Sequence, residues 1–262
     1  MHPMLNIAIR AIRKAGTIIA KNYEVLADAR GKNIYLKNEY FININYKVAT
    51  IINTIVQRSY PHHNFFYAKI NKKIEKKSHF TWIINPLDGI NNFIKCFPYF
   101  AISIAIQMKN KTEAAVIYDP IRNELFTAAR GRGAQINGFR LRCSKSTELK
   151  HAIVAINFLV NSKKKYIFKF NLVKKLLDKD IDLRCTGSSA LNFAYLAAGR
   201  IDADIAMDMA PWNIFSGELL IRESGGLVTD FRGSNNYLQS ESLISGNAKI
   251  VKLLFMEIHQ TL

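Results

Sequence analysis

Between Trp82 and Ile106 the chain reads WIINPLDGINNFIKCFPYFAISIAI, and its chemistry sits in the corner Pro86-Leu87-Asp88-Gly89. An apolar strand (Trp82, Ile83, Ile84) runs into this turn and a helix start follows it. Asp88, the neighbouring backbone carbonyls and the free amide groups therefore collect at one strand end. Such a corner has the donors for a hard cation and a phosphate, because magnesium takes oxygen ligands and phosphate takes helix-start amides. Asn85 stands three residues before Asp88, where a second carboxylate would complete a cation site.

The elements that must position this corner follow from periodicity. Leu5, Ala8, Ile9 and Ile12 recur at i, i+3, i+4 and i+7, which fits a folded amphipathic helix continuing to Ile19 better than a transit peptide. A polar stretch, Asp28 to Asn45, precedes a second amphipathic helix with Val48, Ile51, Ile52, Ile55 and Val56 on one face. The lysine-rich segment Lys69 to Lys77 reads as an exposed connection. Strands are expected at Trp82 to Ile84, Phe100 to Gln107, Ala114 to Tyr118 and Leu125 to Arg130. Asn137-Gly138 marks a turn. A second half begins near residue 145, with a strand at Ile153 to Phe158 and a helix at Tyr166 to Leu177. Another helix opens at Gly187-Ser188 and stops at Gly199. A further helix starts near Asn213 and ends at Gly225-Gly226, before a strand at Leu227 to Thr229. Alternating helices and strands without repeat or linker imply a layered α/β sandwich, one unit over 1–262 with tightly fused halves of about 1–145 and 146–262.

The Asp-Gly corner, the segment Asp208-Met-Ala-Pro-Trp-Asn-Ile-Phe-Ser-Gly-Glu218 with Leu219 to Asp230 behind it, and GSSALNFAYLAAGRIDA from Gly187 to Ala203 together resemble the inositol monophosphatase family. The resemblance extends from the first helix through Tyr118 to Arg142 to the last helix. It implies the family's αβαβα sandwich and, as is usual in the family, a homodimer. It also implies a magnesium-dependent phosphatase site in which clustered metal ions polarise the phosphate, activate a water and stabilise the leaving oxygen. The family's Glu-Glu pair falls at Ala68 and Lys69, the first aspartate of its Asp-Pro-(Ile/Leu)-Asp-Gly-Thr motif at Asn85, and its later aspartate at Asn213. Asp88, with the backbone of Leu87, is what the metal set retains. The water-activating threonine falls at Ile90 and its supporting aspartate at Asn45. Neither a hydrocarbon nor an amide can act as a general base. Leu87, Asp88, Gly89, Ile90 and Arg184 match the family's substrate contacts, and Ala206 stands for a glutamate that holds substrate hydroxyls.

A Lys69 ammonium about 4 Å from a divalent ion would repel it by roughly 8 kcal/mol at an effective dielectric of 20. Magnesium binding is accordingly expected to be weak or absent, and catalysis impaired. The fold-bearing residues Gly89, Pro98, Tyr118-Asp119-Pro120, Gly131, Gly133, Trp212 and Glu223 to Gly226 keep the family pattern. Asparagine at positions 45 and 213 also fits a helix N-cap, the structural reading of both substitutions. Bacterial members of the family take part in ribosomal-RNA transcription antitermination with Nus factors, NusA among them, and RNA polymerase. The resemblance therefore implies two functions: partner binding in an RNA-containing antitermination complex, or hydrolysis of inositol 1-phosphate.

Composition narrows the classes further. No apolar run reaches the roughly 18 residues of a membrane span. Cys96, Cys143 and Cys185 are odd in number and widely separated, which points to a reducing cytoplasm instead of a disulfide framework or zinc site. The six histidines form no metal-ligand pattern. The net charge of +17 fits solvated faces in a lysine-rich chain or an interaction surface for RNA, and composition alone leaves both open.

Overall fold

The structure is a computed structural model that describes residues 3–28, 35–68, 72–74, 78–158, 166–240 and 242–259. Two long helices come first, α1 (Pro3–Asp28) and α2 (Tyr35–Ser59). Helix α1 buries Leu5, Ala8, Ile12, Ala15 and Ile19 along one stripe, as its periodicity requires. Helix α2 begins ten residues before Asn45, so the polar stretch expected there is largely helical. Its inner stripe is Ile44, Val48, Ala49, Ile52 and Val56, with Ile51 and Ile55 only partly covered.

Eight strands form the first sheet: β1 (Asn64–Tyr67), β2 (Lys72–Ile74), β3 (Phe80–Asp88), β4 (Ala101–Met108), β5 (Lys111–Asp119), β6 (Glu124–Ala129), β7 (Gly133–Ile136) and β8 (Phe139–Arg140). Their order is β2-β1-β3-β4-β5-β6-β7-β8, antiparallel except for the β1 and β3 pair. Residues 72–74, expected in an exposed connection, instead pair with β1; residues 69–71 and 75–77 lie outside the described residues.

Along β4 the alternation is of size and not of polarity. Ile102, Ile104 and Ile106 fill the core against α1 and α2, while Ala101, Ser103 and Ala105 are equally buried on the opposite face. A strand so patterned must be covered on both sides. The second cover is α5 (Ser189–Ala197) and α6 (Pro211–Glu223). These two helices approach so closely that a Cβ at Gly217 would overlap the Phe193 ring.

Beyond them lies a five-stranded sheet, ordered β10 (Asp182–Arg184), β9 (Ile153–Phe158), β11 (Ala203–Met207), β13 (Ser242–Gly246), β12 (Leu227–Thr229). Helices α4 (Tyr166–Leu177) and α8 (Ala248–His259) close its far face around Val154, Leu172, Ile205, Ile244 and Leu254. Two short helices, α3 (Ile90–Ile94) and α7 (Tyr237–Ser240), complete the elements. The layers run helix, sheet, helix, sheet, helix, as the sequence led us to expect. None of the described helices is long and apolar enough to cross a membrane.

Candidate functional site

Strand β3 does not stop at Ile84; it carries the Pro86-Leu87-Asp88 corner to its end, with a register shift against β4 between Asn85 and Asp88. Gly89 turns the chain at φ +82° into α3. A side chain there would strain the left-handed backbone and bring a Cβ to 2.8 Å from the Tyr99 carbonyl oxygen. Asn92, two residues into α3, donates to the carbonyls of Tyr99 and Thr186, both at 2.7 Å. That amide ties the corner to the loop opening α5. A cleft of about 470 Å³ lies between them, lined by Asp88 to Asn92 on one side and by Asn157, Gly187, Ser189, Met209 and Asn213 on the other.

Asp88 is buried, and its carboxylate is occupied. Oδ2 accepts from the Ser188 hydroxyl at 2.6 Å and from the Ala190 amide at 2.9 Å, and Oδ1 from the Ser189 hydroxyl at 3.5 Å. Ser188 is the N-cap of α5, so the charge sits on the first turn of that helix, where the orphan amides and the helix dipole favour an anion. The Asp88 carboxylate thereby joins the first sheet to the α5 layer.

Asn85, 1% exposed, donates from Nδ2 to Asn213 Oδ1 at 3.1 Å. The two positions, 128 residues apart in sequence, hold each other directly. Two carboxylates at this spacing would repel unless a cation lay between them, whereas one amide satisfies the other without any ion. Asn85 Oδ1 remains buried without a partner. Asn213 is the third residue of α6, whose N-cap is Ala210, so the N-cap reading of Asn213 is wrong; its side chain faces Asn85 across the cleft instead.

Asn45 is likewise no cap. It lies inside α2, 6% exposed, and donates to the Phe41 carbonyl one turn back at 3.2 Å, leaving Oδ1 buried and unpartnered. Ile90, the first residue of α3, is half-buried at the cleft edge. Ala68 is fully buried and is held by its own amide on the Ile84 carbonyl at 2.9 Å. Leu87 is buried beneath the corner. Lys69 lies outside the described residues. Arg184, at the end of β10, is exposed, bonds its neighbour's carbonyl and does not line the cleft. Ala206 is buried in β11, packed in the core between the two sheets.

Several contributors carry no motif of their own. Asn157 lines the cleft and donates to Asp204 Oδ2 at 2.9 Å; Asn192 donates to the same oxygen at 3.3 Å and accepts from Tyr99 and Thr186. Asp204 is wholly buried in β11, and burial pushes its carboxyl up to about 8 despite those two donors. It therefore stands protonated at neutral pH. The pair Asn91-Asn92, one residue past the Asp-Gly corner, is a sequence signal that could have pointed to part of this frame; Asn157 and Asp204 offer none. His63 also has a structural place: its Nδ1 accepts from the Trp82 indole at 3.0 Å, and burial pulls its imidazole down.

The sequence profile of the inositol monophosphatase family matches residues 1–261. The chain belongs to the inositol monophosphatase family. Among its relatives, the Escherichia coli K12 protein named Nus factor SuhB is 44% identical over 262 residues, covering 100% of this chain and 98% of the relative. The Salmonella typhimurium LT2 protein of the same name is 43% identical over the same span and shares. A Buchnera aphidicola relative, also named Nus factor SuhB, is 44% identical over 270 residues, with 99% and 98% covered. The native crystal structure of extragenic suppressor protein suhB from Bartonella henselae superposes with a TM-score of 0.89 at 28% identity, over 99% of this chain and 100% of that one. The inositol monophosphatase from Anabaena gives 0.84 at 25%, over 98% and 96%.

Members of this family are generally magnesium-dependent, and the donor set here is a poor match for that ion. The cleft presents four asparagine side chains and one carboxylate, and that carboxylate is already bonded to a hydroxyl and a helix amide. Among the described residues no group of three His, Cys, Asp or Glu is placed to hold a metal. Neutral amide oxygens bind magnesium weakly compared with carboxylates, which normally supply the charge that offsets its dehydration.

Proposed function

We propose that this protein acts as a Nus-type factor in ribosomal-RNA transcription antitermination, in the cytoplasm, as a homodimer that binds NusA and RNA polymerase through its folded surface. The reading is supported above all by whole-length similarity, at 43–44% identity, to proteins named Nus factor SuhB. A surface role requires the scaffold and not the cleft chemistry. That division fits a chain with intact layers and an Asn85 to Asn213 amide pair where its family places two carboxylates.

On this reading the cleft has lost its phosphatase chemistry. Hydrolysis of inositol 1-phosphate would need a metal cluster and a base for the attacking water. Ala68, Asn85, Asn213, Ile90 and Asn45 supply neither. General-base assistance alone is typically worth about 10²- to 10⁴-fold in rate. The enzyme reading keeps one point in its favour, the retained Asp88 facing the cleft.

Capture of NusA and RNA polymerase by the purified, folded chain tests the proposal. Both should be retained at low salt and should weaken as salt rises, because a surface of this charge aids association with an RNA-containing complex. Asp88→Asn, in whatever fraction folds, should capture them equally. No capture of either at low salt would leave a vestigial enzyme as the better description.

A further inference from the structure

Four arginines share one open groove of about 580 Å³ at the far end of the first sheet from β2. Arg132 comes from the turn joining β6 to β7, Arg140 from β8, Arg142 from just beyond it, and Arg222 from the last turn of α6. One carboxylate, Glu223, lines the same groove, and both its oxygens are spent on the amides of Gly131 at 2.8 Å and Gly133 at 2.7 Å. Arg222 has a structural explanation: it bonds Glu218 at 2.8 Å and the Val228 carbonyl at 3.1 Å, near a helix C-terminus that favours cations. Arg132 and Arg140 have no such explanation, and Arg142 has one bond, to the neighbouring Leu141 carbonyl at 2.9 Å. All three are exposed, and none forms an ion pair among the described residues. Elsewhere Arg122, Arg130 and Arg200 each face a carboxylate: Asp119, Glu113 and Glu124.

The residue type is informative. The chain holds 24 lysines and 13 arginines, yet the groove takes four arginines and no lysine. A patch that only solvated the surface would follow the composition and be mostly lysine. Guanidinium groups instead present a planar fork that fits two phosphate oxygens at once. Crowding unpaired positive charges also costs repulsion, which a bound polyanion would relieve.

We infer that this groove binds the phosphodiester backbone of single-stranded RNA. Its affinity for phosphate follows from the arginines; the assignment of that phosphate to RNA rests on the proposed antitermination role. Its open form suits a passing strand.

The test is binding of a labelled 12-nucleotide single-stranded RNA to the full chain, followed by fluorescence anisotropy across a salt series, with inorganic phosphate as competitor. The pair Arg132→Gln and Arg140→Gln should weaken binding at least about tenfold and reduce the slope of log K against log salt by about 1.4, near 0.7 per lost contact. A control of equal charge on α1, Lys14→Gln with Lys21→Gln, should change affinity less than about threefold. Unchanged melting of both variants separates binding from folding. Equal loss in the two variants, no arginine effect, or no RNA binding at low salt would overturn the inference. So would complete displacement of RNA by about millimolar phosphate, which would make the groove a free-phosphate site. Capture of NusA and RNA polymerase by wild type, with RNA binding indifferent to the arginines, would sink the groove alone. Arginine-dependent RNA binding without capture would sink the antitermination role alone.

Discussion

The cleft and the arginine groove each contain one carboxylate already tied to backbone amides: Asp88 on the first turn of α5, Glu223 on the turn between β6 and β7. They differ in what surrounds it. Around the cleft the amide nitrogens of Asn85, Asn92 and Asn157 bond Asn213, the backbone and Asp204, and the oxygens that remain are neutral, so little negative charge is left to offset an ion's dehydration. The groove sets four guanidinium groups around the single Glu223 carboxylate, and Arg132, Arg140 and Arg142 form no ion pair among the described residues. A residue's presence at a site is therefore a weaker guide to function than whether its hydrogen-bonding and charge are already consumed within the fold.

The largest expected effect lies beneath the cleft, where Asp204 should make stability fall as pH rises. Its carboxyl titrates near 8 in the folded chain, while the unfolded chain ionises near 4. The unfolded state sheds its proton first, so the stabilisation is complete below about pH 4 and is lost progressively up to about pH 8. Asp204→Asn keeps the shape of the protonated acid and removes the titration. Urea unfolding should show the variant gaining on wild type by about 1.4 kcal/mol per pH unit between about pH 5 and 7, levelling off around pH 8. A constant difference would mean that Asp204 is ionised in the native fold.

Asp88→Ala should come next, at about 3 kcal/mol of lost stability, because it strands the Ala190 amide and the Ser188 hydroxyl in a buried place. Unfolding midpoints measure it; a loss below about 1 kcal/mol would show that α5 does not depend on this carboxylate. Replacing the amide pair by Asn85→Asp with Asn213→Asp should cost about 2 kcal/mol in chelator, since a buried carboxylate and a half-buried one would face each other without a cation. Magnesium should restore part of that melting temperature without restoring turnover, because Ala68 and Ile90 still lack their donors. The smallest effect belongs to the groove: Arg140→Gln should shift stability by no more than about 0.5 kcal/mol, as an exposed side chain with no ion pair. A larger loss would give that arginine a structural role.

Much of the frame could be read from the chain because periodicity and punctuation agree there. The strand at Ile153 to Phe158, the helix at Tyr166 to Leu177 and the α5 start at Ser188 all stand where the pattern put them. The start of α2 was missed because residues 28–45 mix polar and apolar side chains without a clear helical stripe. That error also produced the wrong cap at Asn45. Strand β1 was missed because four residues are too few for an alternation to register, and its order comes from pairing with β3. At the site, the positions of Asn85, Asp88 and Asn213 were legible. Their partners were not: the Asn85 to Asn213 bond and the Asp88 to α5 contacts each join residues about 100 or more apart, which no local pattern encodes.

The direct test of the consumed cleft is a turnover assay of the purified chain with inositol 1-phosphate across micromolar to about 10 mM magnesium, run beside a magnesium melting series. No hydrolysis above the uncatalysed rate and no magnesium-dependent rise in melting temperature are expected, because Asn85 and Asn213 hold each other and Asp88 holds α5. Saturable, magnesium-dependent turnover would contradict the account.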